Sequence, residues 1–207
     1  MKIMKPNMTF FKPIAAQKGM TMIELLITIL VSAIGLLGIA ALQATALKGS
    51  MDSSQRATAA AISNDIIDRL KANTAGRNAD DYSDAFDTYS NCAVNTAAPA
   101  NICTDYYNQT TQAIVTSTAC TAAQLATFDA WELSCGYVNA SDNRSSPINF
   151  LVSPTISLTC TDSDTTDALA CSDNSTHAIS ITWDAIDKDN ARNGVAETHS
   201  VTFTTGI

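Results

Sequence analysis

KGMTMIELLITILVSAIGLLGIAALQATAL, residues 18–47, sets a basic residue and a glycine ahead of a long apolar run whose one charge is Glu24. The 23 residues from Leu25 to Leu47 carry no charge. As a helix rising ~1.5 Å per residue they span about 34 Å, enough for a hydrocarbon core of ~30 Å. A transmembrane helix is therefore expected. Lys2, Lys5, Lys12 and Lys18 all precede it. A basic flank on that side predicts a single pass with a cytoplasmic N-terminus and the remainder outward.

An ordinary secretory signal places its cleavage site after the apolar region, behind small residues. Here the candidate junction, Gly19/Met20, lies before the apolar run. A cut there removes residues 1–19 and leaves the helix on the mature chain. Glu24 then sits four residues from a new amine at Met20. A central membrane charge costs ~2.5–3.5 kcal/mol on insertion scales, so this carboxylate should seek a partner, and the nearest is that amine, on the same chain or a neighbour. The plain alternative is an interfacial glutamate facing lipid headgroups. Ser32, Gly35, Gly38 and Ala40 are small residues of the kind that let membrane helices approach closely.

The formal net charge is -8. Without the four leading lysines, eight basic residues face twenty acidic ones, a balance of -12. Such a surface repels phosphate backbones, so nucleic-acid binding is not expected. All six cysteines, Cys92, Cys103, Cys120, Cys135, Cys160 and Cys171, follow the apolar segment. An even set on one side of a membrane anchor points to disulfides in an oxidising compartment, periplasmic or extracellular. Six cysteines allow 15 pairings, and spacing does not choose among them. Short loops need little reorganisation, so the expectation adopted is the sequential set, 92 with 103, 120 with 135 and 160 with 171. Zinc sites bring cysteines two to four residues apart, and no pair here is that close.

Beyond Leu47, residues 48–73 run without proline, and Ile62, Ile66 and Leu70 recur every fourth position. This predicts an amphipathic continuation, one helix from about Met20 to Lys71, laying Ile62, Ile66, Ile67 and Leu70 against a head. Gly76 reads as its stop signal. A polar, loop-like connection through Asn101 follows, and residues 121–133 read as a short helix presenting Leu125, Phe128 and Trp131. The periodicity then changes to alternation at 155–160, 177–183 and 198–203, which predicts three strands. Ile156, Leu158, Ile179, Ile181, Trp183, Val201 and Phe203 form their inner face. The fold class expected is α+β, with a long N-terminal helix packed on a C-terminal antiparallel sheet and a disulfide-bonded head over 74–207.

The segment KGMTMIELL, residues 18–26, resembles the processing site and helix start of type IV prepilins. The resemblance implies that a prepilin peptidase cuts after Gly19, that Met20 becomes the N-methylated first residue, and that Glu24 is the family's acidic assembly residue. Most members carry Phe where this chain has Met20. GLLGIAALQ (35–43), DIIDRLKAN (65–73), CTAAQLATFDAW (120–131) and ISITW (179–183) further resemble the PilV-type minor pilins. That resemblance implies a low-abundance bacterial subunit which primes pilus assembly with other minor pilins and the major pilin. It would reside in the inner membrane before assembly, then at or near the pilus tip beneath an adhesin.

No cofactor is implied. His177 and His199 stand at strand starts with no G-x-S-x-G or comparable signature beside them, so no enzyme is expected, and both read as surface or edge-strand histidines. The acidic stretches 162–167 and 184–194 lack the Gly and Glu positions of a calcium loop and read as solvated hairpin loops. Competing readings are a type II secretion pseudopilin, which shares the leader and helix, and a surface-adhesion module carried on a pilin helix.

Overall fold

The computed structural model describes residues 19–90, 98–108, 112–135, 138–139, 142–143, 147–184 and 198–207. The chain divides into a unit ending at Lys48 and a second unit from Gly49 to Ile207. Helix α1, Met22–Ala72, runs for 51 residues. In the first unit its side chains are exposed on every face, Ile23, Leu26, Leu30, Ile34, Leu37 and Leu42 among them. Apolar surface of that extent facing water is unfavourable at ~25 cal/mol per Å², so this stretch calls for lipid or protein around it.

In the second unit the same helix becomes one-sided. Gln55, Ala59, Ile62, Ser63, Ile66 and Leu70 are buried, a stripe at helical spacing. Each large aliphatic in it contributes roughly 1.5–3 kcal/mol by leaving water. Ile67, expected in the stripe, packs at its margin.

The connection read as a loop contains two further helices, α2 (Thr74–Asn78) and α3 (Asp81–Thr88). Gly76 therefore does not stop α1. The helix ends at Ala72, and Asn73 caps α2 by accepting from the Gly76 amide at 3.2 Å. Gly76 is needed for proximity, because a Cβ there would lie 2.6 Å from Asn73 Nδ2 and 3.0 Å from the Ala122 carbonyl oxygen. In α3, Tyr82, Ala85 and Phe86 are buried, with Tyr89 just beyond the helix end. Among five acidic and hydroxyl residues over eight positions this stripe is easily read as loop.

A two-stranded ribbon, β1 (Tyr106–Asn108) with β2 (Ala113–Val115), precedes α4 (Ala122–Ser134). A capping box starts α4, with the Gln124 amide donating to Thr121 Oγ1 at 3.3 Å and the Thr121 amide to Gln124 Oε1 at 2.9 Å. Phe128 and Trp131 face inward as expected, whereas Leu125 is only half-buried and Ala126, Ala130 and Leu133 complete the buried face. A short pair, β3 (Val138–Asn139) with β4 (Asp142–Asn143), and a 3-10 turn at Pro147–Phe150 follow.

The C-terminal sheet is antiparallel in the order β5 (Val152–Thr161), β6 (Thr176–Asp184), β7 (Thr198–Gly206). Leu158 faces Ile179 across one ladder, and Ile179 faces Phe203 across the other. Ile156, Leu158, Ile179, Ile181 and Trp183 join Ala59, Ile62, Ile66 and Leu70 of α1 in one core. Val201 and Phe203 are half-buried rather than core, because β7 is an edge strand and the cover thins there.

Two of the three expected disulfides are corrected. Cys103 bonds to Cys120, which overturns both 92 with 103 and 120 with 135. The reason is α4: its 13 residues separate Cys120 from Cys135 by about 20 Å of helix, against a Cα reach of roughly 4.4–6.8 Å for a disulfide. Cys135 is disulfide-bonded, and Cys92 lies outside the described residues. Cys160 bonds to Cys171.

Candidate functional site

Gly19, Met20 and Thr21 precede α1 as exposed, non-helical backbone. The Thr21 carbonyl accepts from the amides of Glu24 at 3.1 Å and Leu25 at 3.3 Å, which closes the first turn. Glu24 lies in that turn, where the helix dipole favours a carboxylate. Among the described residues it makes no ion pair. Residues 1–18, including Lys18, lie outside the described residues.

Among the described residues, nothing lies within 4 Å of a Cβ placed at Gly19, Gly35 or Gly38. Gly within a helix costs roughly 0.8–1.0 kcal/mol relative to Ala, so two in mid-helix are unfavourable unless something outside the chain approaches them. Gly19 likewise fills no tight space among the described residues.

In the head, a buried polar cluster joins α1 to α4. Arg69 Nη1 donates to Asp129 Oδ1 at 2.5 Å and to Glu132 Oε2 at 2.8 Å, while its Nε donates to Asp65 Oδ1 at 3.1 Å. Tyr82 Oη donates to Asp129 Oδ2 at 2.8 Å. Asn73 Nδ2 donates to the Ala122 carbonyl at 2.8 Å. Burial works against the Arg69 charge, but the carboxylates, Asp129 foremost, outweigh it and hold the guanidinium above its ordinary range. Burial, reinforced by the Asp129 charge, pushes the Tyr82 phenol up. Burial also raises Asp129 itself, against the pull of Tyr82 and Arg69. The cluster ties α1 to α4 through charged hydrogen bonds. Its signals in sequence were an acidic residue inside an apolar helix face at 129 and an arginine inside the stripe at 69.

His177 is not a surface histidine. It is 1% exposed on the central strand, with Nε2 3.2 Å from Cys171 Sγ, and burial lowers its pKa. Cys160, Cys171 and His177 bring their ligand atoms within 4.8 Å of one another, yet both sulfurs are taken up in the disulfide. His199 opens β7, its Nε2 3.8 Å from Asp52 Oδ1. No nucleophile lies beside either imidazole among the described residues.

The acidic stretch 162–167 is ordered by its own backbone. Asp162 Oδ1 accepts from the Ser172 amide at 2.9 Å, Ser175 Oγ at 3.1 Å and the Asp164 amide at 3.3 Å. Those bonds hold its pKa down to about 2. The other acidic stretch, 185–194, lies outside the described residues. A groove of about 160 Å³ between α3 and α4, lined by Asp81, Asp84 and Thr88, is smaller than the ~300–1,000 Å³ usual for a ligand pocket.

A long helix, exposed and apolar at its start and one-sided later, with an antiparallel sheet and disulfides in the head, defines a pilin-like architecture. Residues 41–131 match the family described as Type IV pilin Tt1218, and residues 14–40 match the Prokaryotic N-terminal methylation motif. The segments 65–73 and 120–131 fall inside the first match, and Gly19, Met20 and Glu24 inside the second. Neither a curated protein nor a solved structure matches the chain.

Proposed function

We propose that the chain is a type IV pilin subunit of the minor, PilV-like kind, cut by prepilin peptidase after Gly19 and N-methylated at Met20. The observation that carries this reading is the arrangement at residues 19–24: a glycine with open space around it, an exposed junction, and a carboxylate in the first turn of an unburied apolar helix. The match of residues 14–40 to the methylation motif supports the same junction.

On this reading α1 anchors the precursor in the inner membrane with its N-terminus cytoplasmic. Later the helix enters the filament beside those of the major pilin and other minor pilins. Glu24 pairs with the Met20 amine of a neighbour and sets the axial stagger, since a carboxylate among apolar helices needs a cation. Gly35 and Gly38 are approach points for those helices. The disulfided head, at or near the tip, contributes to priming of assembly and to the seat of an adhesin.

Mass spectrometry of the mature N-terminus tests the proposal. A chain beginning at N-methylated Met20 is expected. An intact leader, or a cut within or after residues 25–47, would refute it.

A further inference from the structure

Cys160 of β5 and His177 of β6 stand opposite each other in the ladder, on the inner face that also carries Leu158 and Ile179. Cys171 reaches them from the segment between the two strands, and its amide donates to the Asn78 carbonyl at 3.1 Å, which ties that segment to the end of α2. The two sulfurs of the disulfide are unlike. Cys171 is 0% exposed, whereas Cys160 is only half-buried. The imidazole touches the buried one, with Nε2 3.2 Å from Cys171 Sγ. Position 177 lines up along β6 with Ile179, Ile181 and Trp183, and burying an imidazole among them costs desolvation. Sulfur is a weak acceptor and returns little of that cost. What the contact supplies is a group able to carry a proton to and from Cys171.

Thiol–disulfide exchange runs through a mixed disulfide, and its rate depends on which sulfur is reached and how well the other one leaves. A thiolate that reaches the accessible sulfur, Cys160, makes Cys171 the leaving group. That is the sulfur beside the imidazole. We propose that Cys160, Cys171 and His177 form a thiol–disulfide exchange centre, in which Cys160 takes the mixed disulfide with an outside thiol or disulfide and His177 Nε2 carries the proton of Cys171.

While the bond is closed neither sulfur is a nucleophile. In the opening direction a thiolate forms a bond to Cys160 Sγ, the bond between Cys160 and Cys171 breaks, and its electron pair goes to Cys171 Sγ, which takes a proton from the His177 imidazolium. A second thiol then releases Cys160, so two outside thiols are oxidised to a disulfide as the protein's own is reduced. In the closing direction an outside disulfide first loads Cys160, the neutral imidazole takes the Cys171 proton, and the Cys171 thiolate displaces the carrier thiolate. Burial holds the imidazole below its ordinary pKa, so at pH 7 it is the neutral base that closure needs. Among the described residues two charges act on it: Arg77 of α2, itself paired with Asp173 at 2.6 Å, disfavours the imidazolium, and Asp80 before α3 favours it. These groups all lie in the second unit, and their chemistry does not depend on a cut at Gly19.

The test treats the full chain in detergent with excess reduced glutathione, quenches samples in acid, alkylates them and maps the cysteines by mass spectrometry. The disulfide between Cys103 and Cys120 is the internal clock, since Cys103 Sγ lies 3.7 Å from the Gln124 carbonyl, which has no proton to give. Glutathione trapped on Cys160 is expected to exceed that on Cys171 about tenfold or more. With a thiol of pKa about 8.5 and a histidine below about 6.5, thiolate and imidazolium vary oppositely with pH, so opening of the 160–171 bond should change less than about twofold from pH 7 to 8. Opening of the 103–120 bond, driven by thiolate alone, should rise close to tenfold over the same interval. His177→Gln should slow the 160–171 bond about tenfold at pH 7 and give it the steep profile of the other. A variant that had merely loosened the head would open faster. Glutathione on Cys171 or on both sulfurs alike, a 160–171 bond that stays closed while 103–120 opens, a profile as steep as that of 103–120, or an unchanged or faster rate in His177→Gln overturns the proposal.

Discussion

Replacing Arg69 by Met should destabilise the head more at neutral pH than in acid. Arg69 is 24% exposed and Asp129 8%, and their contact at 2.5 Å is reinforced by Glu132 and by the Tyr82 hydroxyl. Removing one partner of a buried pair costs ~3–5 kcal/mol, because the other charge stays buried without compensation. Tyr82 still donates to Asp129, and Met keeps most of the apolar stem, so the lower end, about 3 kcal/mol, applies at pH 7. For a head of this size that is a fall in Tm of roughly 6–12 °C.

The pH dependence follows from Asp129. Its folded pKa already lies above the unfolded value through burial, and losing Arg69 raises it further. A carboxyl raised in the folded state contributes stability below its unfolded pKa, near ~3.9, and loses it as pH climbs through the folded value. The penalty in the variant is therefore small at pH 4 and grows toward pH 7. Urea unfolding of the processed chain in detergent, followed by the fluorescence of Trp131 and Trp183, gives the difference. Arg69→Met with Asp129→Asn should recover about 2 kcal/mol at pH 7, since the amide needs no counter-ion. A loss below ~1 kcal/mol, or one equal at pH 4 and pH 7, would refute the view that this cluster holds α1 to α4 as a buried charge pair.

Asp162 should titrate near 2 in a carbon-detected NMR experiment. Its depressed pKa means that its stabilisation is present above about pH 4 and fades as pH falls toward 2, and a midpoint near 3.9 would contradict the three hydrogen bonds assigned to it. Gly76→Ala should cost ~1–3 kcal/mol by overpacking, measured by the same urea titration, and no loss would mean that α2 and α4 can separate freely. Glu24→Gln should leave processing intact and lower incorporation into filaments about tenfold, equivalent to ~1.4 kcal/mol of lost pairing, in quantitative immunoblots of sheared pili. Unchanged incorporation would remove Glu24 from the assembly role.

The strongly periodic parts of the chain were legible from sequence because their period reports burial directly. An uncharged run of 23 residues, a four-residue recurrence of Ile62, Ile66 and Leu70, and alternation at 155–160, 177–183 and 198–203 each have one physical interpretation. The proposed junction at Gly19 likewise rests on sequence, on the order of basic flank, glycine and apolar run. Three features were decided only in three dimensions. Helix α3 hides its apolar positions among acidic and hydroxyl residues, so its burial depends on α4 and β5 lying beside it. Cysteine pairing follows distance in space: the 13 residues of α4 hold Cys120 and Cys135 beyond the reach of a disulfide, although the two stand next to each other in the order of cysteines. Arg69 and Asp129 stand 60 residues apart, and a pair so separated has no local signature. Glycine shows the division most clearly: a Cβ at Gly76 would lie 3.0 Å from a carbonyl oxygen of another helix, a constraint set by the tertiary structure, whereas a Cβ at Gly19, Gly35 or Gly38 would meet nothing within 4 Å among the described residues.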